Sequence, residues 1–343
     1  MARKLLFHST MKKTPLMVSI LAVGMFAGCT ESSVIPGEPD EPGEEVPSAP
    51  EPDPECTRAT DTLPLDQLVS SLRWGAVLTY DITRASDGTV YFVSKIENDT
   101  SLIGRRVPCG PIESEWMSIS ASISDLEISS DQQLYMSGWR GPDTSRSTLL
   151  YRLDLEDASA FPERLVNEPG GYLLGLSAAK QGRVYFLKND TTSTLHYVEG
   201  DRVQRVAMNL PFRAFTLGVT PGGGVILAGT SGASHLAHVV VSGVDTGAVS
   251  LYDLPDAIGR MRTDTEGGYY GDIERPGDSG VKSVLIHVPF IGQPANVLHE
   301  VTQLQGGARV SYDLGDDGEA LMLTPMMSET ITAVTLPVPL TKF

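Results

Sequence analysis

From residue 82 onward, apolar positions come in short runs separated by polar, glycine-bearing turns. The clearest unit is Ser86-Asp87-Gly88-Thr89-Val90-Tyr91-Phe92-Val93. Asp-Gly is a tight-turn signal, and the β-branched and aromatic residues after it suit a pleated, buried strand. Six segments share this template of strand, polar turn and apolar strand. They are Ile82–Ala85 into Thr89–Val93, Leu126–Ser129 into Gln133–Ser137, and Leu176–Ala179 into Arg183–Leu187. The others are Leu217–Thr220 into Gly224–Ala228, Met261–Asp264 into Gly268–Asp272, and Tyr312–Gly315 into Glu319–Leu323.

The segments start at 82, 126, 176, 217, 261 and 312, which lie 44, 50, 41, 44 and 51 residues apart. That spacing is close to one four-stranded propeller blade. Third strands are predicted over Thr148–Leu153, Thr194–Val198, Ala237–Val241 and Ser283–Val288. Fourth strands are predicted over Arg202–Val206, Val249–Tyr252 and Asn296–Glu300. Long amphipathic helical patterns are absent, Leu65–Leu72 being the best helical stretch. The sixth repeat runs short after Ile331–Leu336, so a segment within Asp61–Leu78 is expected to complete the last blade and remove its open edge. The expected fold is all-β, a β-propeller of six blades closed by an N-terminal strand. A seven-bladed ring using Leu63–Tyr80 is the alternative. The turn-plus-strand unit resembles bacterial propellers of the TolB, NHL and SMP-30-like kind, a resemblance that implies a fold and hardly constrains a function.

The N-terminus changes the picture from a bare domain to an exported one. Arg3, Lys4, Lys12 and Lys13 precede an apolar run, Leu16–Ala27, too short for a comfortable membrane span and suited to a secretory signal. Met11 offers a second start. Phe26-Ala27-Gly28-Cys29 resembles the lipobox of bacterial lipoproteins, with phenylalanine where leucine is preferred. The resemblance implies cleavage before Cys29 and lipidation of that cysteine. Thr30, in place of aspartate, implies the outer membrane. Thr30–Glu55 carries seven prolines, nine acidic residues and no basic one, which makes it an extended tether. The chain thus divides into a signal peptide (1–28), a tether (29–56) and a propeller domain (57–343). Cys56 and Cys109 remain after Cys29 is assigned, and an even remainder in an oxidising compartment implies one disulfide; two unpaired thiols are the alternative.

The formal net charge of −17, with no basic cluster beyond the leader, excludes a phosphate-backbone partner, so no nucleic acid is expected. His235 and His238 are the only close histidine pair, and an odd spacing on a strand sets them on opposite faces. His196, His287 and His299 read as packing or surface residues. Asp313, Asp316, Asp317 and Glu319 lack calcium-loop spacing and read as a solvated hairpin. Asn98 and Asn189 read as turn residues first. The early Glu-Gly-Pro motif of the SMP-30-like lactonases has no counterpart. Gly222-Gly223-Gly224 precedes a strand and offers no helix N-terminus to phosphate. Trp74, Trp116 and Trp139 could line a recognition surface or pack the core.

No catalytic residue, metal ligand or cofactor is therefore assigned. The expected role is a non-catalytic binding or scaffolding module, held at the membrane by its lipid and meeting a protein or glycan partner on a propeller face. The alternatives are a metal-dependent lactonase or lyase and a component of an envelope transport or assembly complex. An enzyme requires three or more carboxylate, Asn or His side chains converging in the channel; a binding module requires only an exposed aromatic or apolar patch.

Overall fold

Each repeat folds into its own antiparallel meander. The computed structural model describes residues 81–341, apart from 98, 109, 143–144, 158–159, 207–209, 232, 243–245, 255–257, 278–279, 304–309, 312–319 and 326–331. The first sheet holds β1 (Ile82–Arg84), β2 (Val90–Glu97), β3 (Thr100–Arg106) and β4 (Ile112–Ile119). The second holds β5 (Ser122–Ile128), β6 (Gln133–Arg140), β7 (Ser147–Asp154) and β8 (Glu163–Pro169). The third holds β9 (Tyr172–Ala178), β10 (Val184–Asn189), β11 (Ser193–Glu199) and β12 (Arg202–Arg205). The fourth holds β13 (Arg213–Val219), β14 (Val225–Ser231), β15 (Ala233–Ser242) and β16 (Thr246–Asp253). The fifth holds β17 (Ile258–Thr263), β18 (Tyr269–Gly277), β19 (Gly280–Val288) and β20 (Asn296–Gln303). A sixth, three-stranded sheet holds β21 (Val310–Ser311), β22 (Ala320–Pro325) and β23 (Thr332–Thr335). The first strands β1, β5, β9, β13 and β17 pack side by side in chain order. The protein is nearly all β and is arranged as a β-propeller.

The repeat template reappears in the hydrogen bonds. Five turns close with equivalent bonds: Ala85 N to Thr89 O, Ser129 N to Gln133 O, Ala179 N to Arg183 O, Thr220 N to Gly224 O and Asp264 N to Gly268 O, all 2.8–3.0 Å. One turn position must take positive φ. Gly88 fills it at 84° in the first repeat and Gln132 at 56° in the second, which is why glycine alternates with a polar residue there.

The cores lie between sheets. Tyr91, Val93, Leu126 and Met136 join the first two, while Tyr135, Leu150, Leu176 and Phe186 join the second and third. Along β14, Val225 and Leu227 face the third sheet, while Ile226 and Ala228 face the fifth. A strand buried on both faces reads as an unbroken apolar run, as Val225-Ile226-Leu227-Ala228 does. The sequence template omits β3, an interior strand between β2 and β4, and the polar edge strands β4 and β8. Glu113 and Glu115 interrupt β4, and β8 is mostly exposed.

Among the described residues the last sheet has three strands, and the chain continues past β23. The C-terminal residues dock on the fifth sheet: Thr341 N donates to Thr263 O at 2.9 Å, and the Tyr270 hydroxyl donates to Val338 O at 2.6 Å. The proposed closing segment, Leu65–Leu72, Trp74, Cys29, Cys56, Cys109, Asn98 and the Asp313–Glu319 cluster lie outside the described residues.

The inner strands share a second device that no sequence pattern announces. Register shifts break β5 between Ile123 and Asp125, β13 between Ala214 and Thr216, and β17 between Ile258 and Met261. These bulges re-aim the residue just before each template start. They also press the inner strand onto its neighbour. A Cβ at Gly229 would collide with the Arg213 carbonyl and lie 2.6 Å from Ala214 Cα. Gly229→Ala is expected to destabilise the protein by about 2 kcal/mol or more, read from urea unfolding midpoints; an unchanged midpoint would refute the close approach.

Candidate functional site

The bulged positions bring charge into the channel. In template register, Asp81, Asp125 and Arg260 each immediately precede the first template residue of their repeat, and Glu127 and Arg262 lie two residues further along. Side chains two apart on a strand share a face, so both sets point to the same side of their strands. The structure brings these five together from three sheets. Arg260, on β17, makes a two-pronged ion pair with Asp81 beside β1 and a second contact of 3.1 Å with Asp125 on β5. Arg262 pairs with Glu127 at 2.9 Å and reaches the Leu176 carbonyl on β9 at 3.4 Å.

The carboxylates hold backbone as well. Asp81 accepts from Ile82 N at 2.7 Å and from Leu126 N at 2.6 Å, joining the first sheet to the second. Glu127 accepts from Ala178 N at 3.0 Å, joining the second to the third. Ser177 continues the sequence by accepting from Val219 N at 3.3 Å on the fourth. Asp125 accepts from the Ser124 and Ser137 hydroxyls at 3.0 and 3.2 Å.

Asp81 is fully buried, but Arg260, Arg262, Asp125 and Glu127 keep 12–14% of their side-chain surface in solvent. The group is therefore partly open to solvent and not a dry core. Burial raises the Glu127 carboxyl above its ordinary range, and Arg262 and the Ala178 amide only partly draw it back. Burial likewise raises Asp81, opposed by Arg260 and reinforced by the Asp125 charge. For Arg260, burial would lower the guanidinium, but Asp81 and Asp125 more than reverse this and hold it charged. Asp272, buried on β18, adds to that field.

Asp81, Asp125 and Glu127 thus lie with Arg260 and Arg262, none of them among the candidates read from sequence. The readable signal was the polar–apolar–polar pattern of Asp125-Leu126-Glu127 and Arg260-Met261-Arg262 at equivalent template positions. The candidates named from sequence fall elsewhere. Asn189 ends β10, buried, and its amide donates to the Ala214 carbonyl at 2.5 Å, a clasp between blades. His235 and His238 lie on β15 opposite Gly229 and Ile226. His196 stacks on Phe186 and is lowered to about 4 by burial and by the Lys188 and Arg205 charges. His287 is buried against Asp264 at 2.8 Å. Trp116 packs on Tyr91 beneath Arg105, and Trp139 lies beneath Arg146. Among the described residues, no three His, Cys, Asp or Glu side chains are grouped to hold a metal ion. The channel carboxylates are engaged by arginine and backbone amides, so they do not fit the metal centre that the lactonase resemblance implies.

No family model and no curated protein matches this chain. Similar solved structures exist at low identity. A structural-genomics target provisionally described as a gluconolactonase superposes with a TM-score of 0.54 at 13% identity, covering 78% of this chain and 92% of its own. A glucose dehydrogenase gives 0.52 at 10% identity, covering 76% and 96%. The gluconolactonase from Xanthomonas campestris gives 0.50 at 13% identity, covering 76% and 87%. At such identities the likeness carries the fold.

The buried carboxyls set a measurable titration. A folded carboxyl raised above its unfolded value favours the folded state at acid pH, and this contribution declines as pH rises through the folded value. Site-resolved carbon NMR is expected to show Glu127 titrating above the ordinary value of 4.5; titration at or below it would refute the burial-dominated field.

Proposed function

We propose that this protein is a lipid-anchored envelope propeller whose channel acts as an enzyme on a small sugar-derived lactone. The observation that carries the reading is the convergence of Asp81, Asp125 and Glu127 with Arg260 and Arg262 in the channel. Similarity to solved gluconolactonases and a glucose dehydrogenase supports the substrate class.

The chemistry follows from the donors present. A lactone carbonyl placed against Arg262 or Arg260 would have its developing oxyanion stabilised by the guanidinium. A carboxylate of Glu127 or Asp125 takes the proton of an attacking water, and the new C–O bond forms as the ring C–O bond opens. The proton passes to the departing alkoxide, leaving a free hydroxyl and a carboxylic acid, which releases its own proton to solvent to become the carboxylate. No metal enters these steps.

One observation favours a second reading, a non-catalytic binding module: each channel carboxylate is already compensated by arginine or backbone amides. The two readings separate in one assay. The purified domain is expected to hydrolyse glucono-δ-lactone above the spontaneous rate, with Glu127→Gln and Asp125→Asn each reducing turnover by about a hundredfold or more. A rate equal to the spontaneous one defeats the enzyme reading. The anchor is read from Cys29; Cys29→Ala should move the protein from the membrane fraction to the soluble fraction, and retention would refute lipidation.

A further inference from the structure

The fifth repeat departs from the first four at the turn that follows its inner strand. The first four repeats carry Ala85, Ser129, Ala179 and Thr220 at the position where the fifth has Asp264. Asp264 is fully buried, and its Oδ1 accepts from Glu266 N at 2.9 Å and Gly268 N at 2.7 Å. Its Oδ2 meets His287 Nε2 at 2.8 Å, and its carbonyl accepts from the Thr341 hydroxyl at 2.6 Å. Thr265 N donates to Pro339 O at 2.9 Å. A carboxylate, a buried histidine and the C-terminal segment are thus all used to fix one exposed turn. Burying a carboxylate is costly unless its oxygens are satisfied, and here two amides and His287 satisfy them.

The turn is one wall of an open cleft of about 250 Å³. Thr265-Glu266-Gly267 faces the corresponding turn of the fourth blade, Thr220-Pro221-Gly222, and Ile291 forms the remaining wall. The opposite turn is also fixed: Thr220 N and its hydroxyl donate to Gly224 O at 2.8 and 3.1 Å, and Gly223 N donates to Thr220 O at 2.9 Å. The loop bearing Ile291 carries Phe290, 55% exposed. It also lies against Tyr252, 37% exposed, since a Cβ on Gly292 would sit 3.8 Å from the Tyr252 ring. Two exposed aromatic residues thus adjoin the loop that carries the Ile291 wall, and the cleft's own polar groups are one exposed carboxylate, two threonines and turn backbone.

We propose that this cleft is a carbohydrate site taking a neutral pyranose unit of a glycan. A pyranose has an apolar C–H face, which suits Tyr252 or Phe290, and a hydroxyl edge, which suits Glu266 and Thr265. Glu266 and the net charge of −17 disfavour anionic sugars and phosphates. Fixed walls reduce the ordering cost of binding, which matters for a small ligand in a shallow site. None of the residues lining the cleft belongs to the channel group, and the proposal does not depend on lactone hydrolysis.

The test is calorimetric and NMR titration of the propeller domain with maltopentaose, cellopentaose and chitopentaose, with oligogalacturonate as the anionic control. At least one neutral oligosaccharide is expected to bind and to shift Glu266, Gly267 and Ile291 amides. Tyr252→Ala and Glu266→Gln should each weaken it by about tenfold with an unchanged melting temperature. Glu127→Gln, in the channel, should leave binding intact. The proposal is overturned if none of the neutral probes binds, if binding survives both cleft substitutions, if oligogalacturonate binds as well as the neutral sugars, or if Glu127→Gln abolishes binding and so places the sugar in the channel.

Discussion

Arg260 is the interaction on which the arrangement of the inner strands turns. One guanidinium on the fifth sheet holds Asp81 beside the first strand and Asp125 on the second sheet. Asp81 in turn holds the Leu126 amide, and Glu127, paired with Arg262, holds the Ala178 amide. Sheets that pack face to face through apolar cores can slide; directional bonds from charged groups to named amides cannot. The apolar layers supply the bulk of the burial, and this network fixes how the inner strands stand relative to each other. Its removal one partner at a time is costly because it leaves an uncompensated charge in low dielectric.

The same groups carry the functional reading. The channel group sits on or beside the inner strands β1, β5 and β17, so chemistry there would use residues that also hold these strands together. The bulges before Asp125 and at Arg260 serve both ends, re-aiming a side chain while drawing the backbone against Gly138 and Asp272. A carboxylate raised by burial beside a fixed guanidinium is suited to proton transfer and to oxyanion stabilisation, and it also suits a purely structural lock. Hydrolysis of a lactone decides which, and the sugar-sized cleft between the fourth and fifth blades stands apart from that decision.

Much of the fold was legible because burial on both faces writes itself into composition. Val184-Tyr185-Phe186-Leu187 and Val225-Ile226-Leu227-Ala228 could hardly be anything but interior strands, and the turn chemistry fixed their spacing. β4 and β8 were not legible because edge strands owe their place to backbone pairing with β3 and β7 while their side chains meet water. The channel group was half legible. Asp125-Leu126-Glu127 and Arg260-Met261-Arg262 sit in the template, but a charged pair separated by 135 residues becomes a pair only when the ring brings the second and fifth blades to one axis. The bulges have no sequence mark beyond a glycine on the facing strand. Asp264 was hidden for another reason: it resembles an ordinary turn aspartate until His287 and Thr341 are seen to close on it.

The central claim is that Arg260 ties three blades through the channel. The most direct measurement is the unfolding free energy of Arg260→Leu, alone and combined with Asp81→Asn. The single substitution should cost about 3–5 kcal/mol, and adding Asp81→Asn should recover part of that loss by removing the stranded charge. An Arg260→Leu variant within about 0.5 kcal/mol of the natural protein, or a double variant in which the two losses simply add, would contradict it.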